Sequence, residues 1–369
     1  MAYWLLARVR QTAGGAGPAL PLLDEARQGF EAIARDRGHQ AAEVMASVCL
    51  TDQGDCLRDL GRFDESAAAY EVAIARAERL GAERQVAVGQ NQLGTVRLQQ
   101  RRYREALDAH AQARARFTAL GEQGTVAVAW HQTGMAYQES GNPGAAEDAY
   151  RESLAINVRL GNRAGQASTL IQLGNLYKDV LNRPEESVAL YLQAADLYVE
   201  TVDEAHEGHV RNNLGDNLRR LGRLDEARSQ IQRAIECKAP FGHAAEPWTT
   251  WDILADIETA AANPDDAAVA RDQARAAYLD YRHDGGENHS PAGRLALAVT
   301  VYLKAGDPAA ARSLLREFAA NPDQPDEGRA FIQALDAIAA GSRDPALAEA
   351  PDLHWEMAAE VQLFLETLA

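Results

Sequence analysis

Thr51-Asp-Gln-Gly54-Asp-Cys-Leu57, Asn91-Gln-Leu-Gly94-Thr-Val-Arg97, His131-Gln-Thr-Gly134-Met-Ala-Tyr137 and Ile171-Gln-Leu-Gly174-Asn-Leu-Tyr177 are four copies of one pattern, set at a constant interval along the chain. Asn212-Asn-Leu-Gly215-Asp-Asn-Leu218 follows at that interval lengthened by a single position, the insertion falling within Val180-Leu181-Asn182-Arg183-Pro184. Other columns keep step: Phe63, Tyr103 and Pro143; Tyr70, His110 and Tyr150; and the closing pairs Leu80-Gly81, Leu120-Gly121 and Leu160-Gly161. A fixed period of this length is the mark of a repeat array. Inside each unit the apolar residues recur at three and four. Gly61, Gly141 and Gly222 separate two runs of about 15 residues, which predicts a helix, a tight turn and a second helix. No alternating β-branched segment competes, so the chain is all-α.

A glycine inside a helix costs about 1 kcal/mol against alanine. Its recurrence therefore predicts a packing role, in which the second helix approaches closely through the small residues Ala106, Ala146 and Ala227. Tyr70, Tyr150 and Tyr191 are expected to plug the gaps between neighbouring units.

These columns resemble the tetratricopeptide repeat. The 40-residue spacing with its Leu-Gly close is similar to the long-repeat subclass of kinesin light chains, of the LGN spindle-orientation adaptors and of the sensor arrays behind the NTPase modules of bacterial STAND/NB-ARC-type signalling ATPases. The resemblance implies a right-handed superhelical solenoid of seven or eight helix-turn-helix hairpins. It covers the array at residues 42–282 (about six units), with a divergent repeat at 1–41 and a divergent repeat and capping helices at 283–369. Upstream, Ala2 to Gly14 and the stretch from Pro21 to Phe30 read as a first and a second helix. Downstream, Ala255 replaces the glycine, a further pair runs from about Ala292 to Phe318, and the helices near Asp326–Ala340 and Pro351–Leu368 form the cap, with His354 and Trp355. The fold supports binding surfaces and not one function. No NTPase module is present. With no N-cap ahead of residue 2, the chain reads as a fragment of such a signalling protein, a free-standing adaptor, or a scaffold that assembles through its own ends with Trp4 exposed.

Composition narrows the partners. The 369 residues are 46% hydrophobic and 25% charged, and 54 acidic against 37 basic side chains give a net charge of −17. Nucleic acid and anionic membranes are repelled by such a surface. Three cysteines without a CxxC, Cys49, Cys56 and Cys237, suit a reduced compartment. No stretch approaches the roughly 20 apolar residues of a membrane span, and Tyr3-Trp4-Leu5-Leu6 is too short for a signal-peptide core. A cytoplasmic monomer is expected.

First helices line the concave side of such solenoids. At helical spacing Asn91, Thr95 and Leu98 share a face, and their equivalents are His131, Met135 and Gln138, then Ile171, Asn175 and Lys178, then Asn212, Asp216 and Arg219; Gln92, Gln132, Gln172 and Asn213 run beside them. An amide offers a donor and an acceptor, so a column of amides can hold an extended peptide backbone without fixing its sequence; ordinary solvated polar surface is the alternative. Asp52, Asp55 and Asp59 around Arg58, and Asp252 and Asp256 after Arg219 and Arg220, suggest a partner of basic or mixed charge. Where the family's carboxylate clamp carries basic residues, Thr51, Asn91 and Asn212 stand, so a chaperone-tail receptor is not implied.

No nucleotide-binding, serine-hydrolase or HExxH motif occurs, and the pairs Gly14-Gly15 and Gly285-Gly286 follow no strand. The chain is read as non-catalytic and without cofactor or metal. His206 and His209 with His243, or the loop from His283 to His289, would make a metal site only if further ligands converged; a solvated helix end and a flexible polar loop are the plainer readings. Cys49 and Cys56 read as packed small hydrophobes, and Cys237 beside Lys238 lacks a nameable base. Phe241, Trp248 and Trp251, in a segment with two prolines, either plug an interface or form an aromatic patch for a partner.

Overall fold

The structure, a computed structural model, describes residues 1–12, 15–288, 290–320, 325–350 and 352–368. Its described regular elements are all helical, and they gather into two units, Met1–Thr201 and Val202–Ala369.

The first unit is five hairpins: α1 (Ala2–Thr12) with α2 (Ala16–Arg37), α3 (Gln40–Asp59) with α4 (Phe63–Arg79), α5 (Glu83–Gln99) with α6 (Tyr103–Ala119), α7 (Gln123–Glu139) with α8 (Pro143–Arg159), and α9 (Arg163–Asp179) with α10 (Pro184–Thr201). The α3–α4 and α7–α8 turns close on left-handed glycines, Gly61 at φ 72° and Gly141 at φ 77°, a conformation glycine adopts without a Cβ clash. Each second helix packs on the next first helix. Consecutive first helices from α3 to α9 also touch one another, so they form the inner layer and the second helices the outer one.

The glycine column does its work through a ring. A Cβ on Gly54, Gly94, Gly134 or Gly174 would lie 2.6–2.7 Å from the ring of Tyr70, His110, Tyr150 or Tyr191 of the same hairpin. The expected alanines Ala106 and Ala146 are fully buried on the same second helices, but the group that fills the missing Cβ is the ring. The tyrosines serve both sides: Tyr150 also packs on Leu173, Leu176 and Tyr177 of the next hairpin. Trp4, exposed on the self-assembling reading, is half-buried, and its indole Nε1 donates to Asp52 at 2.7 Å. The exposed large apolar residues of α1 are instead Tyr3, Leu5, Leu6 and Val9.

The second unit begins with two more hairpins, α11 (Glu204–Arg220) with α12 (Leu224–Lys238) and α13 (Pro247–Ala260) with α14 (Pro264–His283). Ile231 fills the space over Gly215; Ala227 is buried nearby, and Ala255 sits buried where the next glycine would be. Then follow α15 (Pro291–Lys304), α16 (Pro308–Ala319), α17 (Asp326–Ala339) and α18 (Trp355–Leu368). The simple stacking ends here, because α18 returns to pack on α14, α15 and α17. Trp355 anchors it: its Nε1 donates to Asp252 Oδ1 at 2.6 Å and its ring meets Tyr278 edge-on at 5.8 Å. Trp248 and Trp251 join the same cluster, so they plug an interface and are not an open patch, while Phe241 stays exposed. Pro351, the expected start of the last helix, lies outside the described residues.

Candidate functional site

The inner face of the first unit is held from beneath. The rings that fill the glycine column each reach an inner-face acceptor in their own hairpin: Tyr70 Oη donates to Asp55 Oδ1 at 2.6 Å, Tyr150 Oη to Gln138 Oε1 at 3.2 Å, and Tyr191 Oη to Asn175 Oδ1 at 2.6 Å. In the remaining hairpin His110 Nδ1 lies 3.0 Å from Asn91 Oδ1. Burial raises the phenols of Tyr70 and Tyr150, which keeps them protonated donors. Burial drives His110 down to about 4, helped by the nearby Arg114 charge. The neutral ring therefore meets the Asn91 oxygen through Nδ1–H, which leaves Nε2 buried without a hydrogen-bond partner among the described residues.

The consequence is a pair of amides with fixed polarity. The carbonyl oxygens of Asn91 on α5 and Asn175 on α9 are turned to the rings, leaving their NH2 groups without a protein partner among the described residues. Gln132, on α7 between them, has its Oε1 buried with no hydrogen-bond partner among those residues. An unmet buried acceptor costs about 1–3 kcal/mol until a donor arrives. Two donors thus sit on α5 and α9, and the unmet acceptor of Gln132 lies buried on α7 between them. Beside them Val88, Asn91, Gln92, Phe117, Thr125 and Val128 line a cleft of about 220 Å³, in which an apolar floor carries two amides at its edge.

The other expected contacts of this unit are partly engaged. Gln92 Nε2 donates to Asp55 Oδ1 at 3.0 Å, and the Thr95 hydroxyl to the Asn91 carbonyl at 3.2 Å. Arg58 lies against Asp55 at 3.3 Å and Asp59 at 3.1 Å. His131 is held neutral by burial, with Nδ1 3.4 Å from Thr169 Oγ1. Lys178 Nζ is 3.6 Å from Asp179, and Gln172 and Gln138 are half-buried. Burial raises the carboxyls of Asp52 and Asp55 above the ordinary range.

In the second unit the equivalent positions are buried or half-buried. Asn212 is buried and its NH2 donates to Thr250 Oγ1 at 3.0 Å. Asp216 binds Arg219 at 2.8 Å and Arg220 at 3.0 Å, and Arg219 also approaches Asp256 at 3.6 Å; Asn213 is half-buried. The ring partners escaped the sequence reading although a signal existed: Tyr70, His110 and Tyr150 follow Gly54, Gly94 and Gly134 at one constant offset.

The family model for the tetratricopeptide repeat matches residues 45–119, 85–159, 125–198 and 165–239, together more than half of the chain. The chain belongs to the tetratricopeptide repeat family. No curated protein matches it. Among solved structures, the array is similar to BtubC (BKLC) of P. vanneervenii at 18% identity, covering 60% of this chain and 90% of that one with a TM-score of 0.53. It is similar also to the apo form of RapI at 12% identity, covering 76% and 98% with a TM-score of 0.53. At these identities the likeness is one of fold.

Elsewhere in the tetratricopeptide array the reactive-looking side chains are spoken for. Burial pushes Cys49 up to about 12, and Cys56 and Cys237 up to about 11, the last aided by Glu207. These thiols carry no thiolate at neutral pH. His206 binds Asp203, His243 binds Asp284 and His283 binds Glu366. Gly14 and His289 lie outside the described residues, among which no group of three or more His, Cys, Asp or Glu side chains could hold a metal ion. No described helix is long and apolar enough to cross a membrane.

Proposed function

We propose that this tetratricopeptide protein is a non-catalytic scaffold or adaptor whose first unit captures an extended peptide along its inner face. Tetratricopeptide repeats are protein-interaction scaffolds, and the observation that carries the finer reading is the fixed polarity of Asn91 and Asn175. An extended backbone offers a row of carbonyl groups, which the NH2 groups of Asn91 and Asn175 complement. The cleft beside Asn91 and Gln92 takes one apolar side chain. The −17 charge favours a basic or mixed-charge segment, and a cytoplasmic setting suits three inert thiols.

The test is affinity capture from a lysate of the source organism with the full chain and with its Asn91→Asp, Asn175→Asp variant. Aspartate keeps the oxygen that each ring needs and puts a negatively charged acceptor where the NH2 donor stood. A partner held by the native chain and lost by the variant supports capture on the inner face; equal retention by both refutes it.

A self-assembling scaffold is a second reading, favoured by the exposed Tyr3, Leu5, Leu6 and Val9 of α1. It requires a mass that rises with concentration, and a monomeric mass up to high micromolar concentration excludes it.

A further inference from the structure

Helix α15, like α1, combines an absence of carboxylates with an exposed apolar side. Its stretch Arg294-Leu-Ala-Leu297-Ala-Val-Thr-Val301-Tyr-Leu-Lys304 holds no carboxylate in a protein of net charge −17. On its outer side Leu297 is 64% and Val301 59% exposed. Those residues follow Arg294 at the helical steps of three and four and lead to Lys304, so an apolar stripe of three turns, about 15 Å long, ends in a cation at each side. Neither Arg294 nor Lys304 forms an ion pair or hydrogen bond among the described residues. Beside the stripe a cleft of about 240 Å³ opens between α15 and α18, with Ala296, Thr300, Leu363 and Phe364 in its walls. The one carboxylate in that cleft, Glu360, is buried and already bound by Tyr278, Arg282 and Asn288.

We propose that this face of α15 is a docking site for an acidic amphipathic helix. Charge complementarity fixes the sign, because two unpaired cations bracket the apolar stripe. The need for a helix follows from what the face lacks: its side chains offer an extended strand almost no partners for backbone N–H and C=O groups, whereas a helix brings those bonds satisfied and presents only side chains. Leucine-sized residues of the incoming helix fill the cleft against Ala296 and Leu363, and its carboxylates meet Arg294 and Lys304. The site lies in the second unit and is independent of the peptide reading of the first.

Fluorescence anisotropy on the full chain tests this with two labelled synthetic amphipathic peptides of about 15 residues, long enough to sustain a helix. They share one leucine stripe and differ in a polar face of glutamate or of lysine. The glutamate peptide should bind saturably and weaken with salt. It should lose at least tenfold in affinity with Leu297→Glu, Val301→Glu, and again with Arg294→Glu, Lys304→Glu, the latter variant then preferring the lysine peptide. These are exposed positions, and circular dichroism checks that both variants keep native helicity. Asn91→Asp, Asn175→Asp should leave this binding unchanged. No binding of the glutamate peptide, equal or tighter binding of the lysine peptide, or affinity indifferent to both variants overturns the proposal. So does sedimentation with phosphatidylglycerol vesicles that depends on Leu297 and Val301, which would make the face a lipid surface.

Discussion

Gly134 and Gly124 lie in one helix and should respond oppositely to the same change. A Cβ on Gly134 would meet the Tyr150 ring at 2.6 Å, whereas nothing lies within 4 Å of a Cβ on Gly124. Gly124→Ala, in the first turn of α7, should raise stability by up to about 0.5 kcal/mol through helix propensity alone. Gly134→Ala should lower it by about 1–3 kcal/mol, since overpacking outweighs propensity. Urea denaturation of the two variants measures both signs, and a stabilised Gly134→Ala would contradict the ring-filling account. His110 makes the second prediction at this scale. Its native value of about 4 lies below the unfolded value near 6.5, so above pH 6.5 both states are neutral and the full stability is present. As the pH falls from 6.5 towards 4 the unfolded chain takes up a proton that the native ring refuses, and stability drops by as much as about 3 kcal/mol. His110→Tyr, which matches Tyr70, Tyr150 and Tyr191, should abolish that part of the acid dependence in urea titrations across this range.

Turns and caps set the behaviour of whole hairpins. Gly61, Gly141 and Gly222 occupy the left-handed position of their turns, and Arg101 takes the same position at φ 59° with a side chain. That conformation costs an L-residue about 1–2 kcal/mol, part of which glycine returns as unfolded-state entropy. Arg101→Gly should therefore stabilise the α5–α6 hairpin by up to about 1 kcal/mol, read as slower amide exchange in α5 and α6. Elements differ in how far the sequence discloses them. The α3 to α12 hairpins are plain because columns such as Gly54, Gly94 and Gly134 recur at a fixed step. The return of α18 is not, because its contacts join residues as distant as Asp252 and Trp355 and leave no period. The half-burial of Trp4, which the self-assembling reading left exposed, was hidden for the same physical reason, since its indole bond to Asp52 is long-range.

Across the whole molecule, each unit builds its own core and spends its polar groups differently. Among the described residues, the first keeps Asn91 and Asn175 with unpartnered NH2 groups, while the second turns the NH2 of the equivalent Asn212 onto Thr250 and leaves its Oδ1 buried and unmet. The sequence shows the amide column but not its polarity, which depends on rings carried by the second helix of each hairpin and on which oxygen each ring takes. Several such contacts of about 0.5–1.5 kcal/mol must act together for micromolar affinity. The most direct test is calorimetric titration of the captured partner's binding segment, as a synthetic peptide, into the native chain and the Asn91→Asp, Asn175→Asp variant. Two donors replaced by acceptors should weaken binding by about 10- to 100-fold with unchanged thermal stability; an affinity that stays the same would contradict the inner-face account.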